Sequence, residues 1–308
     1  MATLWDRFDS LLHDAEQLFF NFEFDKALGQ WESYYQITAK VEFAGIIKEI
    51  RRLLREVDAP RIDTSEKLLT AFYKIRHRFL ERQIHQYTYA LFLNLLKKIY
   101  LNQFTDREKD NNLLHGVFNY FLQNYQKAGE ALTSYLQQNF ESVEGRIFLG
   151  HVYLELGEQR SAVALLTENL FLAADQLYED DLYLSQFKLL FGRLYSQTSR
   201  KNAAAWLLPF EAWYRNFLVF DRDDRFYKLM VQKEQNERII RVKYTTAERY
   251  RHFVRCLFVA EYTRLFLKEK TGVILDEETY MEQLDPALFA RYRKKRKPPK
   301  TAAKPKTQ

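Results

Sequence analysis

The chain carries the same pattern of small and apolar residues twice, 34 residues apart. Residues 143–176 align with residues 109–142, so that Gly150 falls on Gly116 and Ala162 on Ala128. Leucines coincide in three further pairs: Leu122 with Leu156, Leu132 with Leu166, and Leu136 with Leu170. A fixed period of about 20–50 residues is typical of repeated units that bury their apolar faces against one another. The pattern therefore predicts two successive helical hairpins.

The period and its small residues resemble the tetratricopeptide repeat, in which each unit is a helix–turn–helix of about 34 residues. The resemblance implies that Gly150 and Ala162 lie where the two helices of one unit press together, with Tyr153 filling the adjacent gap. It also implies that Gly157 ends the first helix in a left-handed turn, a conformation that glycine adopts without steric penalty.

Weaker copies of the pattern flank these two units. Its glycine, tyrosine and alanine recur as Gly192, Tyr195 and Ala204, after an insertion of eight residues. The segment around Ala27 resembles half of a further unit. The chain departs from the family at three positions: Arg146 where Trp is usual, Ala174 where Pro is usual, and Asn119 where Tyr is usual. The alternative is a general α-helical bundle in which two hairpins share a spacing by coincidence.

Few residues in the chain interrupt helices. Nine Gly and six Pro occur among 308 residues, whereas strands need frequent turns. Four capping pairs indicate helix starts: Asp63 with Glu66, Thr105 with Glu108, Thr245 with Glu248, and Asp285 before Pro286. These features predict an all-α fold, a right-handed array of tetratricopeptide-like helix–turn–helix repeats (an α-solenoid) flanked by non-consensus helices.

The repeat boundaries divide the chain into four predicted segments. Residues 1–104 are expected to form an N-terminal helical region with one degenerate repeat, and residues 105–220 the repeat region. Residues 221–284 are expected to form a C-terminal helical region. Residues 285–308 are expected to form a short helix and a disordered basic tail, because prolines and lysines there accompany no apolar cluster.

The expected class is a soluble, cytoplasmic protein. Cys256 is the single cysteine, which excludes an internal disulfide and fits a reducing compartment. Near the N-terminus, Asp6 and Asp9 precede any apolar core, unlike the start of a signal peptide. The most apolar run contains Lys97 and Lys98, and it falls short of the ~20 apolar residues of a membrane-spanning helix.

The repeat resemblance implies a concave groove lined by the first helix of each unit. Transferring the ligand-facing positions of the family onto this chain predicts a partner-binding groove formed by Leu113, Val117, Tyr120, Phe121, Ile147, His151, Leu154, Glu155 and Arg193, with Glu144, Gln186, Leu189 and Gln197 at further such positions. Chaperone-binding relatives hold a terminal carboxylate with Lys and Asn there. The apolar residues of this chain instead favour an apolar or aromatic peptide as the partner. The alternative is that neighbouring helices of the protein already fill the groove.

The net charge of +6 is concentrated in one segment. Residues 291–308 contain nine Lys or Arg and no acid, which leaves 38 basic against 41 acidic residues elsewhere. The segment is predicted to bind polyanions weakly, nucleic acid or an anionic surface, through Arg291, Arg293, Lys294, Lys295, Arg296, Lys297 and Lys300. If it is such a free arm, deleting it leaves thermal stability unchanged. The alternative is a solubilising tail with no specific contact.

Two weaker patterns carry potential chemistry. Glu248, His252 and Cys256 follow one another at intervals of four residues and could share a helix face as metal ligands, but no second ligand cluster accompanies them. A hydrogen-bonded histidine beside a buried cysteine is the favoured interpretation, and no metal or cofactor is predicted. Arg78 and His85, expected on one long helix, resemble the arginine–histidine motif of helical HEPN ribonucleases, although Phe79 replaces the polar residue that follows that arginine.

Together these patterns favour a non-catalytic adaptor that binds a protein partner through the repeat groove. The first alternative is a nucleic-acid-associated helical protein acting through its basic tail and basic helix faces. The second, with least support, is a HEPN-like helical ribonuclease.

Overall fold

The computed structural model describes residues 4–105, 111–238 and 244–296. Within these ranges it contains fifteen α-helices, three short 3-10 turns and no strand. The predicted all-α fold is therefore confirmed for the described part of the chain. Two compact units divide the chain, residues 1–135 and 136–308. Their boundary lies inside the segment predicted as the repeat region.

Of the described helices, seven begin in the first unit: α1 Leu4–Phe20, α2 Phe24–Thr38, α3 Val41–Val57, α4 Ser65–Leu80, α5 Gln86–Gln103, α6 Asn112–Phe121 and α7 Tyr125–Gln138, whose last turn reaches into the second. The second unit contains α8 Val143–Glu155, α9 Gln159–Ala173, α10 Ser185–Thr198, α11 Lys201–Tyr214, α12 Asp224–Arg238, α13 Thr246–Phe266, α14 Thr271–Leu284 and α15 Pro286–Arg296. Helices adjacent in sequence pack as neighbours in several pairs, among them α1 with α2, α8 with α9, α10 with α11 and α13 with α14.

Aromatic side chains hold the first unit together. Phe19 of α1, Trp31 of α2 and Phe92 of α5 are fully buried, and the Phe19 ring lies 5.7 Å from Trp31 and 5.3 Å from Phe92. Tyr100 of α5 stacks on Phe118 of α6 at 5.0 Å between ring centroids. Aromatic pairs at such distances contribute about 0.5–1.5 kcal/mol beyond the area they bury. These rings therefore fix how α1, α2, α5 and α6 pack.

Helix α13 lies at the centre of the second unit. Every residue from His252 to Thr263 is buried, and the helix packs against α9, α11, α12 and α14. A polar side chain on such a helix is costly unless it is hydrogen-bonded. Arg255 meets this requirement in part: its Nη1 donates to Glu237 over 2.7 Å, while its Nε has no hydrogen-bond partner among the described residues.

The capping signals predicted two of the helix starts. Thr245 and Glu248 form a reciprocal capping box at the start of α13, and Asp285 accepts a hydrogen bond from the amide of Leu288 at the start of α15. The expectation at Asp63 is wrong by one residue, because the Thr64 hydroxyl accepts from the amide of Lys67 while the Asp63 carboxylate pairs with the side chain of that lysine. The predicted cap at 105 depends on residues 106–110, which lie outside the described ranges.

Two hairpin turns 34 residues apart share one geometry. Gly157 has φ of +80°, and the following amide donates to the carbonyl of Tyr153 over 2.7 Å, as the left-handed helix end predicted for Gly157 requires. Gln123 has φ of +62°, and the amide of Asn124 donates to the carbonyl of Asn119 over 2.8 Å. Only the second turn has the residue without Cβ strain in this conformation.

We expect Gln123→Gly to raise the free energy of unfolding by about 1 kcal/mol, because glycine removes the strain of a left-handed Gln. Gly157→Ala should lower it by about the same amount. Chemical denaturation monitored by circular dichroism measures both changes. A decrease for Gln123→Gly would contradict the shared turn geometry.

Candidate binding surfaces

Gly150 on α8 makes room for a side chain from outside its own hairpin. A Cβ atom at this position would lie 2.7 Å from Cζ of Tyr183 and overlap its hydroxyl group. The Tyr183 hydroxyl donates to the carbonyl of Ala162 over 2.6 Å, and its ring lies 4.9 Å from that of His151. The eight-residue insertion predicted from the pattern lies around residues 175–182, and Tyr183 comes directly after it, two residues before α10. The segment inserted between α9 and α10 therefore closes over α8 at the glycine.

The corresponding glycines of the pattern have different surroundings. A Cβ atom on Gly116 would lie 2.6 Å from Cδ2 of Leu132, so that glycine permits the close packing of α6 on α7. No heavy atom of the described residues lies within 4 Å of a Cβ atom built on Gly192 of α10. The three glycines align in sequence, but contacts inside the protein explain the need for glycine only at Gly116 and Gly150.

In the first unit, the predicted groove positions on α6 are buried or half-buried. Leu113 and Val117 are buried, so they are unavailable to a partner. Phe121 is half-buried and packs on Phe72 of α4, with 5.5 Å between ring centroids, and Tyr120 lies beside Phe121. This part of the predicted groove is covered by the protein's own helices, which was the stated alternative.

In the second unit, the predicted positions separate into buried and exposed groups. Ile147 is 3% exposed and is part of the core, which corrects its assignment to the groove. His151 and Leu154 are half-buried, the first beneath Tyr183. Glu155 and Arg193 are exposed. The accessible part of the predicted groove in this unit is thus the last turn of α8 and the face of α10.

We expect Gly150→Ala to lower the free energy of unfolding by about 1–3 kcal/mol, since the methyl group overpacks a filled contact. In a Tyr183→Leu background the same change should cost much less, because the overlapping atoms are gone. A double-mutant cycle by urea denaturation measures the coupling. Equal costs in both backgrounds would show that Tyr183 does not occupy the space beside Gly150.

The C-terminal basic segment is helical as far as Arg296, which corrects the expectation of a free arm beginning at Arg291. Arg291 pairs with the buried Glu211 at 2.6 Å, and its guanidinium lies 5.0 Å from the ring centroid of Phe210. Lys295 donates to the carbonyl of Trp213 and lies 4.1 Å from its ring centroid. Burial lowers the pKa of Lys295 to about 8. Arg291 and Lys295 therefore make contacts within the protein instead of forming part of a free arm.

Glu261 of α13 is the anchor for this helix. It is 1% exposed and accepts hydrogen bonds from the Trp213 indole over 3.0 Å and from Nε of Arg296 over 3.0 Å. Arg264 also pairs with it, at 2.5 Å. Tyr292, which is 1% exposed, stacks on Trp213 at 5.3 Å. The contacts dock α15 against α11 and α13.

The remaining predicted polyanion ligands fall into two groups. Arg293 and Lys294 are exposed on α15. Lys297 and Lys300 lie outside the described residues.

Ending the chain after residue 290 should lower the free energy of unfolding by about 3–5 kcal/mol, because Glu211 and Glu261 lose their α15 cations while remaining buried. Ending it after Arg296 should have almost no effect. Calorimetric melting of both truncated proteins against the full chain tests this. Equal melting temperatures for all three would mean that α15 is not docked.

The candidate metal ligands on α13 have other roles. Glu248 caps the helix, and Nδ1 of the buried His252 lies 2.9 Å from the carboxylate of Glu234. Cys256 is fully buried and receives a hydrogen bond from Arg238 over 3.0 Å, and burial raises the pKa of its thiol. No group of three His, Cys, Asp or Glu side chains in the described ranges is arranged to hold a metal ion.

The expected placement of Arg78 and His85 on one helix is wrong. Helix α4 ends at Leu80, and His85 is the N-cap of α5, where its Nδ1 accepts from the amide of Tyr87 over 3.1 Å. Arg78 donates to both carboxylate oxygens of Glu56, over 2.9 and 2.8 Å. The pair therefore has separate structural roles and does not share the helix face on which the ribonuclease resemblance depended.

No protein-family model, curated protein or solved structure gives a significant match to this chain. Among the helices of the described ranges, none has both the length and the apolar character needed to cross a bilayer.

Proposed function

We propose that this protein is a non-catalytic adaptor that binds an apolar or aromatic peptide segment on the outer face of α10, beside the last turn of α8. The observation that carries the proposal is Leu189. Its side chain is 67% exposed at a position where the repeat resemblance predicts a ligand contact. Gln186 and Arg193 flank it at helical spacing and are exposed as well.

Helix α10 has two distinct faces. Phe187, Leu190 and Leu194 point into the core and hold the helix in place. On the outer side, Gly192 lies close to Leu189 and leaves the backbone uncovered. An exposed glycine within a helix costs about 0.5–1 kcal/mol relative to alanine. A partner helix that approaches α10 closely at Gly192 would account for that cost.

The chemistry of the face favours an amphipathic partner. Leu189 offers an apolar contact, and the Tyr195 ring, 49% exposed and stacked on Phe191, extends the apolar surface along one side. Gln186 and Arg193 supply polar contacts at the margin. An amphipathic helix that places one apolar or aromatic residue on Leu189 fits this arrangement, as in helix-in-groove recognition. Under this proposal α8–α11 form degenerate tetratricopeptide-like units.

The test is a selection of short peptides from a displayed random library, followed by affinity measurements with the enriched sequence. Leu189→Glu should weaken binding about tenfold or more, the range of an interface hot spot. Leu275→Glu is the matched control, because Leu275 on α14 is 66% exposed and receives the same charge. Enriched peptides that bind both variants equally well would contradict the proposal.

Gly192→Ala should raise the free energy of unfolding by about 0.5–1 kcal/mol, because alanine has the higher helix propensity and nothing obstructs its Cβ atom. It should also weaken peptide binding, since the methyl group holds the partner away. Gly29→Ala on α2 is the control, as its Cβ atom also meets nothing within 4 Å. It should stabilise the protein and leave the peptide affinity unchanged. Unchanged affinity for Gly192→Ala would show that no partner approaches α10 closely there.

A further inference from the structure

We infer that the exposed edge formed by α3 and α4 in the first unit binds the phosphate backbone of a single-stranded nucleic acid. The edge consists of Lys48, Arg52, Arg55 and Lys74, and is called the basic edge below. This function is separate from peptide binding on α10. It also moves the expected polyanion contact away from the C-terminal basic segment.

Three of the cations form a row. Lys48, Arg52 and Arg55 follow at intervals of four and three residues, which places them on one stripe of α3 about 10 Å long. Lys74 of α4 adjoins this row, because its Nζ donates to the carbonyl of Glu56 over 3.5 Å. The four positive charges thus belong to one surface.

The charges of the basic edge are unneutralised. In the described ranges, no carboxylate oxygen lies within the 4.0 Å ion-pair distance of any of its four side chains, whereas the neighbouring Arg51 pairs with Glu32. The nearby Glu49 carboxylate instead accepts from the His85 amide and the Thr88 hydroxyl, over 2.8 Å each, on α5. On α15, by contrast, Arg291 is paired with Glu211. The four cations of the basic edge are therefore available to an external anion.

A cleft beside the edge adds directed donors. It has a volume of about 440 Å³ and is lined by Glu56, Lys74, His77, Arg78 and Gln83. Arg52 donates to the Gln83 carbonyl over 3.2 Å, and Arg78 donates to the Gln83 side-chain oxygen over 3.1 Å. Gln83 thereby brings guanidinium groups from two helices together. Glu56 is the acidic residue that lines the cleft, and its carboxylate forms an ion pair with Arg78.

The row favours a linear polyanion over an isolated phosphate. A row about 10 Å long can follow successive phosphates of one strand, whereas an isolated phosphate would engage only part of it. An anionic membrane would also require apolar side chains that insert beside the cations. On this stripe of α3 the exposed large apolar residue is Val41, two helical turns before Lys48. The surface therefore fits a nucleic-acid strand better than a lipid surface.

The experiment measures binding of the full chain to a fluorescein-labelled, mixed-sequence single-stranded RNA by anisotropy over a range of salt concentrations. The triple variant R52Q/R55Q/K74Q should bind about tenfold more weakly or worse. Its slope of log affinity against log salt should fall by about 2, since each phosphate contact contributes about 0.7. Glu56→Gln should bind more tightly, because it removes the opposing charge.

The matched control is K26Q/R160Q/R222Q, which removes three exposed cations that pair with Glu23, Asp221 and Asp224. It should change the affinity less than about threefold. A chain ending after Arg296 should keep most of the affinity. Circular dichroism and melting curves of each variant separate changes in binding from changes in folding, and the gain for Glu56→Gln counts only if that variant stays folded at the assay temperature.

Four outcomes would overturn the inference. Two concern the full chain: it does not bind RNA at low salt, or it binds phosphatidylserine vesicles more tightly than RNA. Two concern the variants: the control variant loses as much RNA affinity as the triple variant, or truncation after Arg296 lowers the RNA affinity and the triple variant does not. Tighter binding to vesicles would mean that the basic edge contacts a membrane surface. Each of the other three outcomes would mean that the basic edge does not bind RNA. A loss in the triple variant with a gain in Glu56→Gln supports nucleic-acid binding on α3 and α4.

Discussion

The second unit is organised around one buried carboxylate, Glu261. A charged group with so little exposure is tolerated only when several donors surround it, and Glu261 has an indole and two guanidinium groups. Two of these donors come from other helices, Trp213 from α11 and Arg296 from α15. The donors that satisfy this one charge therefore help to fix the position of α15. Arg291 and Arg296 of α15 are better understood as counterions of Glu211 on α11 and Glu261 on α13 than as a surface for foreign anions.

Most of the helical architecture could be predicted from the sequence because its signals are local. The capping box at Thr245, the proline start of α15 and the left-handed end at Gly157 each depend on a few consecutive residues. The scarcity of glycine and proline excludes a strand-rich fold on the same local grounds. The placement of Arg78 and His85 on one helix failed because the turn after Leu80 contains neither glycine nor proline. Arg82 takes the left-handed conformation there with φ of +57°.

The binding surfaces could be predicted only in part, because exposure depends on residues far away in sequence. Leu113 and Leu189 occupy equivalent positions by pattern, yet one is 9% exposed and the other 67%. The stripe of Leu113 continues with the apolar Val117, whereas that of Leu189 continues with the polar Arg193, a difference that the repeat alignment does not use. Similarly, counting charges located the C-terminal excess correctly but not the acids that neutralise it, since Glu211 precedes Arg291 by 80 residues. Charge counting alone does not single out the cations on α3 and α4, because nearby acids balance them in sequence, although Glu49 is hydrogen-bonded to Thr88 and Glu56 is paired with Arg78.

The position of Cys256 has a practical consequence. It is the single thiol of the chain, it is fully buried in the central helix of the second unit, and burial raises its pKa, so the reactive thiolate is scarce in the folded state. A thiol reagent can reach it only when α13 separates from the helices around it. The rate of labelling under native conditions therefore reports how often this unit opens, without an introduced probe. The protein thus contains its own reporter of conformational opening.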